Sequence, residues 1–193
     1  MSKLILASAS PRRKELLSIF DIGFDICTSN IEEVVRNDED PKQVSMSLAF
    51  QKALDVSSRF NNNEIVLGAD TVVYMNNTIF GKPKDYDDAL NMLGILNGCI
   101  HSVITGICIV QAGTNKKIID YCETKVKFRH MTHDKLKSYL KTDEYKDKAG
   151  GYAIQGYGSV LVEWLEGSYS NVVGLPIAKV DSLLGKHFGL KLL

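Results

Sequence analysis

The apolar run Leu4-Ile5-Leu6-Ala7, passing through Ser8-Ala9-Ser10 into a helix started by Pro11, constrains this chain more than any other segment. The run is too short for a helix and reads as a buried strand. Proline is favoured at a first helical position because its fixed φ suits the helix and its missing N–H is not needed there. The first turn then carries Arg12, Arg13 and Lys14. Helix N-termini leave backbone N–H groups unpaired and hold partial positive charge, so anions gather there and added cations deepen the well. Capping alone accounts for Ser10 and Pro11. It accounts neither for Ser8 nor for cations at the end of the dipole where they are disfavoured. Strand, hydroxyls and cations together read as a phosphate seat. A secretory signal is not expected, since the apolar stretch falls short of the ~7–15 residues of an h-region.

With 193 residues the chain can bury a substantial core, and a single domain over residues 1–193 with two lobes is expected. Lys plus Arg balances Asp plus Glu at 23 each, which argues against a nucleic-acid backbone as the main partner. Cys27, Cys99, Cys108 and Cys122 form no CxxC pair and have no histidine at zinc-finger spacing, so they read as reduced thiols of a cytoplasmic protein. His130 and His133 could share a helix face as metal ligands, or simply mark the start of a helix, the better-supported reading without an accompanying carboxylate motif. No apolar run approaches the ~20 residues of a membrane span.

Strands and helices alternate along the chain. Phe24 to Thr28 reads as a strand leading to the acidic turn Ile31-Glu32-Glu33, and Asp40-Pro41 opens a long helix to about Phe60. Ile65-Val66-Leu67 is a buried-strand run ending in Gly68-Ala69-Asp70-Thr71. A hairpin of Val72-Val73-Tyr74 and Thr78-Ile79-Phe80 follows through Asn76-Asn77. Asp85 caps a helix from Tyr86 to Leu96; strands from Ile100 to Gln111 and from Lys117 to Phe128 precede a helix from Thr132 to Leu140. A glycine-rich loop over 148–158, a strand from Val160 to Trp164 and a last helix from Pro176 complete the chain. The pattern is α/β, with a mixed twisted sheet and flanking helices.

Several polar residues stand out. Asp70 ends an apolar run, where open α/β sheets collect ligands, although a turn aspartate would look the same. Lys52 falls on the apolar stripe of its helix with Val44, Leu48, Ala49 and Val56, so its ammonium either snorkels to water or reaches an anion. Gly81-Lys82-Pro83-Lys84 is a second phosphate contact or a plain loop. Glu32 and Glu33 are hard oxygen ligands suited to magnesium or manganese, or else solvated. The glycine loop lacks the Gly-Lys-Ser/Thr of a P-loop, which disfavours a kinase or switch GTPase. Its glycines permit close approach of a ligand, and the Gln155 amide can read a base edge with one donor and one acceptor.

Ser8-Ala9-Ser10-Pro11-Arg12-Arg13, Gly68-Ala69-Asp70-Thr71, Gly81-Lys82-Pro83, the run from Lys148 to Gly156 and Asn171-Val172-Val173-Gly174-Leu175-Pro176 resemble, in order, the signatures of the Maf family. That resemblance implies a cytoplasmic nucleoside-triphosphate pyrophosphatase, long also called a septum-formation inhibitor, with a two-lobed α/β fold similar to the inosine-triphosphate pyrophosphatases. It implies Asp70 as proton acceptor, with Ser10, Arg13, Glu33, Lys52 and Lys82 around phosphate and metal. Ser8 joins Ser10 and Arg13 as a phosphate-binding residue, and Glu33 with Asp70 would hold Mg2+ or Mn2+.

The expected reaction is in-line attack of water on the α-phosphorus, with Asp70 either a base or a metal ligand. Within the family resemblance, Arg12, Thr71 and Gln155 match the branch acting on dTTP and UTP. The branch acting on 7-methyl-GTP resembles Trp, Gln and Glu there. A uracil or thymine edge pairs with one amide in both senses, whereas guanine presents two donors that favour a carboxylate. The alternatives are 7-methyl-GTP pyrophosphatase activity and a nucleotide-binding regulator of septum formation with incidental hydrolysis. A homodimer and a cell-division partner stay open.

Overall fold

Strand β1 (Leu4–Leu6) pairs in parallel with β2 (Phe24–Ile26) on one side and β3 (Ile65–Met75) on the other in the computed structural model, which describes residues 3–31 and 40–193. Helix α1 (Pro11–Ser18) connects β1 to β2, and α2 (Pro41–Ser57) precedes β3. Strand β4 (Thr78–Phe80) folds back antiparallel on β3, with Val73 opposite Phe80. The turn residues Asn76 and Asn77 take φ of 49° and 59°, the left-handed conformation that a two-residue hairpin requires. Helix α3 (Tyr86–Leu96), strands β5 (Ile100–Gln111) and β6 (Lys117–Phe128), helix α4 (His133–Leu140), strand β7 (Val162–Glu166) and helices α5 (Tyr169–Val173) and α6 (Ile177–Phe188) follow. The result is a mixed seven-stranded sheet in the order β2-β1-β3-β5-β6-β7, with β4 attached to β3.

The helix starts read from the sequence are held by capping hydrogen bonds, with Thr132 as the cap and not the first residue of its helix. The Asp40 carboxylate accepts from the Lys42 N–H at 2.8 Å, that of Asp85 from the Asp88 N–H at 2.8 Å, and the Thr132 hydroxyl from the Lys135 N–H at 3.4 Å.

The chain divides into two compact units. The first comprises residues 1–70, 105–122 and 174–193; among those described, β1 pairs in parallel with β2 and with the start of β3, and these strands are covered on both faces. Leu4, Leu6, Ile65 and Leu67 pack with Leu17, Ile107, Ile109, Leu175, Val180 and Leu184. The alternate residues Ile5, Ala7 and Val66 pack instead with Ala49, Ala53, Val56, Cys108 and Val110. Burial of both faces is why these strands read as continuous apolar runs rather than as alternating ones. The second unit, residues 71–104 and 123–173, has its own core, in which Val73, Phe80, Leu93, Leu96, Val126, Phe128, Leu136 and Tyr152 are all buried.

Four sequence expectations change. The run 65–71 and the hairpin strand 72–74 are one strand, β3, so Asp70 lies within a strand and not at its end. Gly68 does not break it, because that glycine is there for proximity: an added Cβ would stand 2.5 Å from the Ala49 carbonyl oxygen and 2.9 Å from the Ala53 Cβ of α2. His130 precedes the Thr132 cap and is not on α4, so it shares no helix face with His133. The glycine-rich loop contains two 3-10 segments, Ala149–Gly151 and Gly156–Leu161, and α5 has no counterpart in the sequence reading. Five residues are too few for a helical period to show.

Candidate active site

The close approach at Gly68 sets the geometry of the first unit. It lets α2 press against β3, and Lys52, one residue before Ala53, is carried to Asp70, two residues after Gly68 on the same strand face. The Lys52 ammonium donates to Asp70 Oδ1 at 2.5 Å, with the two side chains 15% and 12% exposed. The neighbours of Lys52 on its stripe, Val44, Leu48, Ala49 and Val56, are buried. A lysine so placed reaches a carboxylate.

The chain leaving β1 runs beside the same stretch. Ala7 donates its N–H to the Leu67 carbonyl at 2.8 Å, continuing the β1–β3 register in which Leu6 faces Leu67. Ser8, buried, follows at once. Its Oγ accepts from the Ser10 N–H at 3.2 Å and from Arg13 Nη1 at 3.2 Å, while Arg13 Nε donates to the Gly174 carbonyl at 2.7 Å. Ser10 occupies the cap position of α1 but its side chain makes no capping bond. Arg12 and Arg13 are half-buried in the first turn and Lys14 is exposed. Hydroxyls and guanidinium are thus organised among themselves, and the cationic helix start gains a partner in the Gly174 carbonyl that sequence spacing does not reveal.

In the second unit, Lys82 is exposed in the segment after β4, whose Gly81 carbonyl accepts from the Gly150 N–H at 2.9 Å. That bond ties Gly81-Lys82-Pro83 to the glycine-rich loop bearing Gln155. Gln155 and Thr71 are half-buried. The loop is anchored from below by a buried aromatic group. His101 Nε2 lies 2.7 Å from the Tyr152 hydroxyl, and both rings meet Phe128 edge-on, at centroid distances of 4.9 Å and 4.6 Å. Burial lowers the His101 pKa to about 4 and raises that of Tyr152, so both are neutral at pH 7.

The structure therefore brings Ser8, Ser10 and Arg13 together, joins Lys52 to Asp70, and links the Lys82 segment to the Gln155 loop. Glu33, expected as a metal ligand, and its neighbour Glu32 lie outside the described residues. Among the described residues no group of three or more His, Cys, Asp and Glu stands together to hold a metal alone. Asp70 supplies a hard oxygen donor of the kind that suits magnesium, which commonly binds one or two carboxylates and completes its shell with phosphate oxygens and water. Its chemistry fits a cation that arrives with a polyphosphate. His101 and Glu144, which support the loop, carry no signal in the sequence, because their partners lie far along the chain and neither belongs to a recognisable motif.

A dTTP/UTP pyrophosphatase of Clostridioides difficile (strain 630) is 49% identical over 98% of this chain and 97% of its own length. One of Pyrococcus abyssi (strain GE5 / Orsay) is 50% identical over 96% of each. Among solved structures, a HAM1 protein from Coxiella burnetii aligns over 66% of this chain and 73% of its own, at 12% identity and a TM-score of 0.45. The family model for Maf-like proteins matches residues 3–187, and with relatives this similar over nearly their whole length, the chain belongs to the Maf-like protein family.

Proposed function

We propose that this protein is a nucleoside-triphosphate pyrophosphatase that hydrolyses dTTP and UTP to the monophosphate and pyrophosphate. The observation that carries the reading is the Lys52–Asp70 pair, a carboxylate held by a lysine in the unit where Ser8 and Arg13 are organised at a helix start. The choice of nucleotide is supported by relatives named dTTP/UTP pyrophosphatase and by Arg12, Thr71 and Gln155 at the positions that the resemblance links to that branch.

In this reading Asp70 orients the attacking water and accepts its proton as the new oxygen–phosphorus bond forms at the α-phosphorus. The bond from that phosphorus to the bridging oxygen breaks, and pyrophosphate leaves with the electron pair. Lys52 holds the Asp70 carboxylate in place. Arg13, Ser8, Ser10 and the backbone N–H groups of α1 bind phosphate oxygens, and Lys82 adds a further cation. A divalent ion, Mg2+ or Mn2+, held by Glu33 would supply positive charge to the phosphate oxygens when bound; were Asp70 to hold it too, Asp70 would serve as its ligand in place of a base. Residues 1–193 act as one functional domain, since the family match spans both units. Cytoplasmic work suits the free thiols Cys27, Cys99, Cys108 and Cys122; among the described residues no helix is long and apolar enough to cross a membrane.

A multiple-turnover assay of pyrophosphate release over a nucleotide panel tests this. dTTP and UTP should both be used, because the single methyl that separates them is worth only ~1–3 kcal/mol in a pocket. EDTA should stop the reaction and Mg2+ or Mn2+ should restore it. Preference for 7-methyl-GTP would reassign the branch. Binding of nucleotide without release of pyrophosphate would favour the regulator of septum formation.

A further inference from the structure

Gln155 stands at the cap position of the 3-10 segment Gly156–Leu161, yet its side chain makes no capping hydrogen bond. The N–H groups at the start of such a segment lack partners within it. Here they are taken by a distant carboxylate: Glu144 Oε1 accepts from the Tyr157 N–H and Oε2 from the Gly158 N–H, each at 3.0 Å. A Cβ added at Gly156 would displace Glu144 Oε1 from these amides, and the φ of +62° at Gly156 favours glycine on conformation alone. On the other side of Gln155 the chain is fixed as well, because the Ala153 N–H donates to the Tyr139 hydroxyl at 3.0 Å and the Tyr152 hydroxyl meets His101.

We propose that Glu144 is a positioning residue for base selection: its carboxylate takes over the capping of the segment after Gln155, which fixes the backbone at Gln155 and leaves the amide for the nucleotide. With Gln155 as the reader of the base, on which this role rests, Glu144 acts on specificity without touching the substrate. Both carboxylate oxygens are engaged by adjacent N–H groups, an arrangement that neutral side chains of similar size reproduce only in part. Groups that orient the side chains holding a metal matter by about 10–100-fold when removed, and an effect at the lower end of that range is expected for a backbone anchor.

The test compares Glu144→Ala and Glu144→Gln with the unaltered full chain in two measurements. Hydrogen exchange should show the Tyr157 and Gly158 amides losing protection in Glu144→Ala while β5, β6 and α4 keep theirs. The ratio of kcat/KM for dTTP to that for GTP should fall roughly tenfold, through KM more than kcat. Glu144→Gln, which keeps one acceptor oxygen, should fall between the two, and it serves as the test if Glu144→Ala does not fold. In a Gln155→Ala background, Glu144→Ala should cost no further selectivity. An unchanged dTTP to GTP ratio, or equal loss of kcat on every nucleotide, would overturn the positioning role while leaving the pyrophosphatase reading intact. Failure of the unaltered protein to hydrolyse dTTP or UTP would instead remove that reading, and the selectivity role with it, even if the two amides open as expected.

Discussion

The first unit sets a charged pair at its site, Lys52 with Asp70, each side chain still partly open to solvent. The second unit buries a neutral pair, His101 with Tyr152, inside its aromatic core. The contrast follows from the cost of desolvation. Taking a full charge out of water is expensive even when paired, so an ion pair survives best where some water or ligand can reach it. A neutral hydrogen bond tolerates full burial and holds its surroundings rigid. In the function proposed here the first kind of pair meets the nucleotide, while the second holds the chain beside the loop that follows Lys148.

Breaking the charged pair should have the largest effect. Asp70→Asn keeps the shape and removes the charge, and it should reduce pyrophosphate release from dTTP by ~10²–10⁴-fold with the fold retained. Near-normal turnover, measured alongside a circular-dichroism melt, would show that Asp70 is a scaffold residue like His101. Lys52→Ala should lower kcat/KM roughly tenfold or more, about 1.4 kcal/mol of transition-state stabilisation. If it shifted only the melting temperature, the ammonium would serve packing alone.

The neutral pair should reveal itself through pH. The His101 pKa is lowered from 6.5 to about 4 by burial, so between these values the unfolded chain binds the proton and the folded one resists it. Stability contributed by the neutral ring is therefore complete above about pH 6.5 and falls by about 3 kcal/mol as pH drops to 4, with no further loss from this group below that. Urea melts across this range should show the slope, and the double change His101→Phe with Tyr152→Phe should flatten it. A slope that persisted in the double variant would place the acid sensitivity elsewhere.

The change most informative about the link between packing and chemistry is Gly68→Ala. The new Cβ would push on the Ala49 carbonyl, and overpacking of this kind costs typically ~1–3 kcal/mol. Because α2 also carries Lys52, catalysis should fall more than the loss of stability accounts for at temperatures where the protein remains folded. Unchanged kinetics would show that the separation of helix and strand does not set the pair.

Much of this molecule is legible locally. The bounds of β5 and β6, the helix starts near Asp40, Asp85 and Thr132, and the hairpin at Asn76-Asn77 all follow from periodicity and turn chemistry within a few residues. The order of the motifs points to the family for the same reason, since each is a short run with its own chemistry. Reading Gly68 as the end of a strand fails because a glycine's local signal is the same whether it turns the chain or admits a neighbour. Only the tertiary structure distinguishes them, through the backbone of α2 lying against β3. The partners of the site are decided in the same way: Arg13 reaches a carbonyl 161 residues away, Lys52 a carboxylate 18 away, and Glu144 two amides 13 and 14 away. The sequence determined which residues could carry charge, turn or cap, because those properties belong to side chains and their immediate neighbours. Which of them meet was decided by the burial of the β1 and β3 faces and the helices laid over them, because contacts between distant residues exist only once the core has formed.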